Sequence, residues 1–327
     1  MTDNDAAVPR LTALVAASIG EEHRERLASE FPDVSFVPIP KSGEVPPEGA
    51  DARILFRCSM SKDEMTRTIA GAPNLEWIHT CTAGFDQLLV PEIEELNLKV
   101  TRSAETHHLP ISEWVIGFML LVSKRYADLW VAQREHRWAP PDTEDLAGKT
   151  IGIVGAGAIG TEVATRARPF GMRIIATKRS PVEHAAYDRV MPSDALPELL
   201  GESDFVVLAC PLTTETKGMI GAEQLRQMKP TAHLINIARG KLIVDADLIR
   251  ALEEGWIAGA CLDAFAEEPL PPDSPLWDVP RLVLTPHASY RSPYMFHRAT
   301  DEFAANLRRF RAGEELQNRL REPKLGY

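Results

Sequence analysis

Short apolar runs alternate with stretches of helical periodicity along almost the whole chain. Strands are predicted at residues 11–17, 34–38 and 53–56, with a helix over the Glu- and Arg-rich residues 21–31. Ser61 is placed as the N-cap of a helix running to Ala70, with Gly71 as its stop. Near Val100 the pattern changes into a long helical segment, residues 110–136, followed by the loop Trp138-Ala-Pro-Pro-Asp. From Lys149 a second series begins, with strands predicted at 150–154, 173–176, 205–209, 233–237, 257–262 and 282–284. Helices fill the gaps; the one over 245–254 opens on an acidic cap and closes at Gly255. Residues 294–320 are again helical and carry many charges. Such alternation is the signature of doubly wound parallel sheets. No short linker separates the two series, so the chain is free to cross between domains more than once.

A length of 327 residues suits two ordinary domains. With 44% hydrophobic and 25% charged residues, disordered and fibrous classes fall away. The formal charge is −11, from 36 basic and 47 acidic side chains, which is not the footprint of a nucleic-acid or anionic-membrane binder. A small anionic ligand would need local positive groups. The most apolar run, residues 114–122, is too short to span a bilayer, which takes about 20 residues. The N-terminus is polar and acidic, unlike a secretory signal. Cysteines at 58, 81, 210 and 261 are too sparse for a disulfide framework and lack zinc spacing, so a reducing, cytoplasmic compartment is expected.

The sharpest local signal is Lys149-Thr-Ile-Gly-Ile-Val-Gly155-Ala-Gly157-Ala158-Ile159-Gly160. It follows a predicted strand and opens a predicted helix, the context that a dinucleotide fingerprint requires. Gly155 permits the tight turn, Gly157 lets backbone approach a pyrophosphate, and Gly160 allows close packing of helix on strand. The helix N-terminus adds N–H donors and a positive dipole end. About 20 residues on, an NAD enzyme presents an acid to the ribose. This chain has Thr177-Lys178-Arg179-Ser180 there instead. Two cations and two hydroxyls suit a 2′-phosphate, so NADP(H) is expected in preference to NAD(H), which stays possible.

Ligands of open α/β sheets sit beyond the carboxyl ends of the strands. There the chain places Ala238-Arg239-Gly240, Asp263, and Thr285-Pro286-His287; Glu267 and Glu268 follow in a Pro-rich loop. The set fits hydride chemistry on a carbonyl. A histidine can serve as proton donor near neutral pH, and a bidentate arginine can hold a carboxylate or polarise a carbonyl. No metal is required. His107-His108 lacks further ligands at zinc spacing and reads as a polar loop.

With these residues in hand, the chain resembles the D-2-hydroxyacid dehydrogenases from about residue 50 to about 315. The resemblance rests on the glycine run ending at Gly160, Pro211-Leu-Thr-Thr-Glu-Thr216, Ile235-Asn-Ile237-Ala238-Arg239-Gly240 and Val244-Asp245. It continues with Leu262-Asp-Ala-Phe-Ala-Glu-Glu-Pro269, Ser274-Pro-Leu-Trp277 and Thr285-Pro-His-Ala288.

The resemblance implies a 2-oxo acid held by Arg239, a general acid/base at His287, and Glu268 as partner of the imidazole. It implies Asp263 at the nicotinamide carboxamide, Ile237 and Ala238 along the cofactor, and Cys210-Pro211 and Thr216 on the adenosine side. In Thr82-Ala83-Gly84-Phe85-Asp86 it implies that the peptides of Ala83 and Gly84 hold the substrate carboxylate. The implied fold is a Rossmann cofactor domain, residues 103–292, inserted into a flavodoxin-like substrate domain made of 1–102 and 293–327. A homodimer joined through cofactor domains is implied as well. Arg57, Cys58, Ser59, Met60, Tyr290, Tyr294 and Met295 are candidates for the substrate pocket by position. The stretch Ala104-Glu-Thr-His-His-Leu-Pro110 departs from the family's small Asn-containing loop, and His107 and His108 receive no role. Competing readings are a non-catalytic dinucleotide sensor of the same fold, a structural relic, and an enzyme acting on another small anion such as formate or phosphite.

Overall fold

A computed structural model describes residues 11–82, 84, 88 and 90–320. The chain divides into two compact units, 1–107 with 292–327, and 108–291, so the second is inserted into the first. Unit 1 opens with β1 (Leu11–Ala16), α1 (Glu21–Glu30), β2 (Val34–Ile39), β3 (Ile54–Arg57) and α2 (Lys62–Gly71). It continues through β4 (Trp77–Thr80), α3 (Pro91–Glu95) and β5 (Lys99–Arg102). Unit 2 holds α4 (His108–Ser123), α5 (Tyr126–Arg134), β6 (Thr150–Val154), α6 (Ala158–Ala167), β7 (Arg173–Thr177), β8 (Arg189–Met191), α7 (Leu196–Glu202) and β9 (Phe205–Leu208). After these come α8 (Ala222–Gln227), β10 (His233–Asn236), α9 (Asp245–Glu254), β11 (Gly259–Leu262) and β12 (Leu282–Leu284). The chain then returns to unit 1 with α10 (Met295–Ala312).

Both sheets are parallel, with strand orders β2-β1-β3-β4-β5 and β12-β11-β10-β9-β6-β7-β8. In the second sheet the order reverses between β6 and β9, and ligands of such sheets bind beyond a reversal of this kind. The strands are buried on both faces, as helical layers on either side require. Ser61 caps α2 as expected, within a capping box: its Oγ accepts from Glu64 N–H at 3.2 Å while Glu64 accepts from Ser61 N–H at 2.7 Å.

Three differences from the sequence reading have local causes. The long helix over 110–136 is two helices, broken at Arg125, whose backbone is left-handed (φ 51°). The final helix stops at Gly313 in the same left-handed conformation, and residues 318–320 run along the edge of β5 instead. Cys58 and Cys81, one residue beyond the paired ends of β3 and β4, form a disulfide despite the sparse cysteine pattern.

α10 docks on unit 1 through aromatic stacking: Phe303 lies 4.3 Å from Phe56 and 5.3 Å from Trp77 between ring centroids. Beneath it His79 is wholly buried, bonded to Thr101 Oγ1 (2.7 Å) and Ser103 Oγ (3.1 Å). Burial pushes its imidazole down to about 3. The unfolded chain, with a histidine near 6.5, therefore binds the proton that the folded chain refuses. Stability is full above pH 6.5 and declines as pH falls from there toward 3, by about 1.4 kcal/mol per unit for this one group. Denaturant unfolding of wild type and His79→Gln across pH 7 to 4 measures this; equal pH slopes in the two proteins would refute it.

Candidate active site

All the ionisable groups expected at the second sheet's edge belong to unit 2. The Glu268 carboxylate bonds His287 Nδ1 at 2.7 Å, with both side chains about one-third exposed. Its other oxygen accepts the Phe265 N–H at 2.9 Å. Burial alone would raise the Glu268 carboxyl. The hydrogen bonds from His287 and Phe265, with the nearby charges of His287 and Arg239, outweigh it and hold the group below the usual carboxylate range. With Nδ1 engaged, Nε2 is the nitrogen available to exchange a proton with a ligand. The Tyr290 ring stands edge-on to the imidazole at 5.7 Å. Glu267, the other acid of this loop, is exposed.

His287 is a left-handed residue (φ 47°), a conformation seldom adopted by side-chain-bearing residues and recurrent at functional sites. Asp263 holds the turn in place. It is fully buried, its Oδ1 accepting from Thr285 Oγ1 (2.6 Å) and Ala288 N–H (2.9 Å), its Oδ2 from Ser289 N–H (3.0 Å). Its carboxylate is therefore engaged by the His287 turn on both oxygens, a task the sequence reading did not assign to it.

Arg239 follows β10 and donates from Nη1 to its neighbour's carbonyl, Ala238 O, at 2.7 Å. The loop is braced by Asn236, which is fully buried: its Oδ1 accepts the Ala238 N–H (3.0 Å) and its Nδ2 donates to Arg239 O (3.0 Å). Asn236 lies in the quoted Ile235–Gly240 motif, yet reading along the sequence gave it no role. An asparagine one turn before the arginine is the only local signal. At Gly240 a Cβ would lie 1.9 Å from the Phe265 carbonyl carbon, so the Arg239 loop runs directly against the loop that carries Glu268.

Beyond β6 the three glycines behave differently. Gly155 has φ 109°, and a Cβ there would meet Ala209 and Cys210 backbone at 2.8 Å; at Gly160 it would meet Gly155 O at 2.2 Å. Nothing stands within 4 Å of a Cβ at Gly157, which is exposed at the N-terminus of α6 together with Ala158, while Ile159 is half-buried. That open backbone cradle fits a dinucleotide pyrophosphate. Gly155 and Ala156 donate to Thr177 O (3.0 and 3.3 Å), which brings the cradle beside the end of β7, where Lys178, Arg179 and Ser180 are exposed.

Ile237 and Ala238 are buried behind the Arg239 loop. Thr216 closes the loop after β9, donating to Pro211 O (2.7 Å) and accepting from Thr213 N–H (2.8 Å). Burial pushes the Cys210 thiol up to about 11, which keeps it protonated.

In unit 1, Gly84 accepts the Thr82 hydroxyl at 2.8 Å; Ala83 lies outside the described residues. Arg57, Cys58 and Met60 are buried, with Arg57 Nη2 donating to Met60 O at 2.8 Å and its guanidinium lowered to about 10 by burial. Ser59 and Tyr294 are exposed and Met295 half-buried. Among the described residues no helix is long and apolar enough to cross a membrane.

Comparison with known proteins shows which family the chain resembles as a whole. Residues 116–289 match the family model described as D-isomer specific 2-hydroxyacid dehydrogenase, NAD binding domain. The chain is 39% identical to a glyoxylate reductase of Korarchaeum cryptofilum over 74% of its own length and 75% of that protein. It is 33% identical to a glycerate dehydrogenase of Methylorubrum extorquens, over 82% and 84% of the two chains. Among solved structures it superposes on an NADPH-dependent glyoxylate/hydroxypyruvate reductase of Sinorhizobium meliloti in complex with NADP and sulfate. There the TM-score is 0.83 at 26% identity, covering 97% of this chain and all of that one. A 2-hydroxyacid dehydrogenase of Xanthobacter autotrophicus bound to NADPH gives a TM-score of 0.83 at 29% identity, over 96% and 99% of the chains.

Proposed function

The chain belongs to the D-isomer specific 2-hydroxyacid dehydrogenase family, and from that premise we propose that it is an NADP(H)-dependent reductase interconverting a small 2-oxo acid and the D-2-hydroxy acid. The observation that carries this reading is the 2.7 Å His287–Glu268 pair, in the same unit as the open glycine cradle. When bound, the dinucleotide supplies or receives the hydride. Glu268 orients the imidazole through its contact with Nδ1. His287 Nε2 gives the proton to the carbonyl oxygen in reduction and takes it back in oxidation. Arg239 holds the carboxylate and polarises the carbonyl through its planar fork. The peptides of Ala83 and Gly84 are proposed, by the family resemblance, as further carboxylate donors. Glyoxylate and hydroxypyruvate are the first substrates to try, since related proteins bear names for reactions on them.

The coenzyme preference follows from Lys178, Arg179 and Ser180 at the exposed end of β7. Cations there favour a 2′-phosphate, and an acid would repel it. Following NADPH and NADH oxidation across a panel of 2-oxo acids tests the whole reading; no oxidation with any of them would refute it. In the same assay Lys178→Asp lowers kcat/KM with NADPH by about tenfold, the worth of roughly one charge-assisted bond, and raises it with NADH. An unchanged coenzyme ratio would remove the assignment. A homodimer belongs to the same proposal; the cytoplasmic location expected from sparse, unpaired cysteines loses that ground, because Cys58 and Cys81 are bonded. The dimer is supported by an apolar face at α5 and the loop after it, where Trp130 is 57% and Trp138 99% exposed; sedimentation equilibrium measures it.

A further inference from the structure

The last residue of the turn before α4 and the first residue of α4 are the two histidines that the chemistry above does not use. His108 pairs loosely with Glu162 of α6 at 3.8 Å. His107 is different. It is buried, and its Nε2 lies 2.6 Å from the carbonyl oxygen of Cys81. A carbonyl only accepts, so Nε2 carries the hydrogen in this contact. Cys81 follows the end of β4 and immediately precedes Thr82. Its N–H donates to Arg57 O at 3.0 Å and its sulfur is bonded to Cys58, so both of those links tie it back to the end of β3.

Neither link sets the direction in which the chain leaves Cys81. That is decided at its carbonyl, because the Cys81 C=O and the Thr82 N–H share one rigid peptide plane. Thr82 N–H then reaches Thr80 Oγ1 at 3.3 Å, and the Thr82 hydroxyl, 2.8 Å from Thr80 Oγ1, donates to Gly84 O at 2.8 Å. His107 is held in its turn by α10. The Glu302 carboxylate accepts the Ala104 N–H (2.9 Å) and the Thr106 hydroxyl (2.8 Å), fixing the residues just before it.

We propose that His107 is a positioning residue for the carboxylate-binding segment: its Nε2–H holds the Cys81 carbonyl and so, through Thr82, aims the peptide donor of Gly84. This rests on the reading above that the Gly84 peptide helps to hold a 2-oxo acid. Misaiming it loses roughly one charge-assisted hydrogen bond, worth about tenfold or more in substrate KM. The glycine cradle and His287 belong to unit 2, so the NADPH KM and the proton-donating step are expected to be unaffected.

The experiment compares wild type, His107→Leu and His107→Gln, the last carrying an amide N–H at about the reach of Nε2. His107→Leu raises KM for glyoxylate or hydroxypyruvate about tenfold, with kcat and the NADPH KM within about twofold, and His107→Gln restores it. Amide hydrogen exchange at Thr82 and Gly84 accelerates in the leucine variant and returns to normal in the glutamine one. His107→Asn, polar but too short, replaces leucine if leucine prevents folding. An unchanged substrate KM, a parallel fall in kcat, or failure of glutamine to rescue overturns the proposal. If wild type turns over no 2-oxo acid, the functional reading fails, while exchange at Thr82 and Gly84 still decides the anchoring: acceleration upholds it and no change overturns it.

Discussion

His287→Ala lowers the turnover of 2-oxo acid reduction by about 10²–10⁴ fold, the worth of a positioned general acid. The reason is geometric. Nδ1 of the ring is fixed to Glu268 at 2.7 Å, and the backbone that presents it is fixed by the three bonds Asp263 makes to Thr285, Ala288 and Ser289. A ring so constrained donates through Nε2 without first being ordered. The glycine cradle lies beyond another strand, so NADPH affinity, read by quenching of protein fluorescence, stays within a few-fold of wild type. Turnover within tenfold of wild type would exclude His287 as the proton donor.

Arg239→Ala lowers kcat/KM for the 2-oxo acid by about 10²–10⁴ fold, since two charge-assisted bonds at roughly 1.5–3 kcal/mol each are lost. Arg239→Lys recovers little of it. An ammonium is a point charge without the planar pair of donors that matches a carboxylate. Asn236 brackets the loop through Ala238 N–H and Arg239 O, bonds that no Arg239 side-chain change touches, so the fold survives. Steady-state kinetics with the substrate varied at saturating NADPH make the measurement; a lysine variant equal to wild type would mean that the arginine acts only through its charge.

The unit 2 sheet was legible wherever a strand is apolar and sits between a turn and a helix: β6 and β12 run over the expected residues, and β7, β9 and β10 differ at their last residue. Unit 1 hid two strands. β4 reads Trp-Ile-His-Thr and β5 reads Lys-Val-Thr-Arg, and neither short run shows an apolar pattern. Their polar residues are accommodated by a pairing across 22 residues, His79 with Thr101, that no local window contains. β8, three residues at the sheet's edge, escaped for lack of length. In the site, the ionisable groups announced themselves by standing at strand ends. Their supports did not. Asp263 serves the His287 turn from 22 to 26 residues away, and the Cys81–His107 contact spans 26.

The missing side chain at Gly240 has a consequence for how this enzyme can change. Because the loop bearing the guanidinium and the loop bearing the carboxylate meet backbone to backbone there, neither can shift without displacing the other. The Arg239 loop and the Glu268 loop are thus mechanically coupled, and a substitution that moves one is expected to disturb the other. Selection for a bulkier or more polar acid therefore has to act on other segments, and two such enzymes of different preference would be alike here and diverge elsewhere.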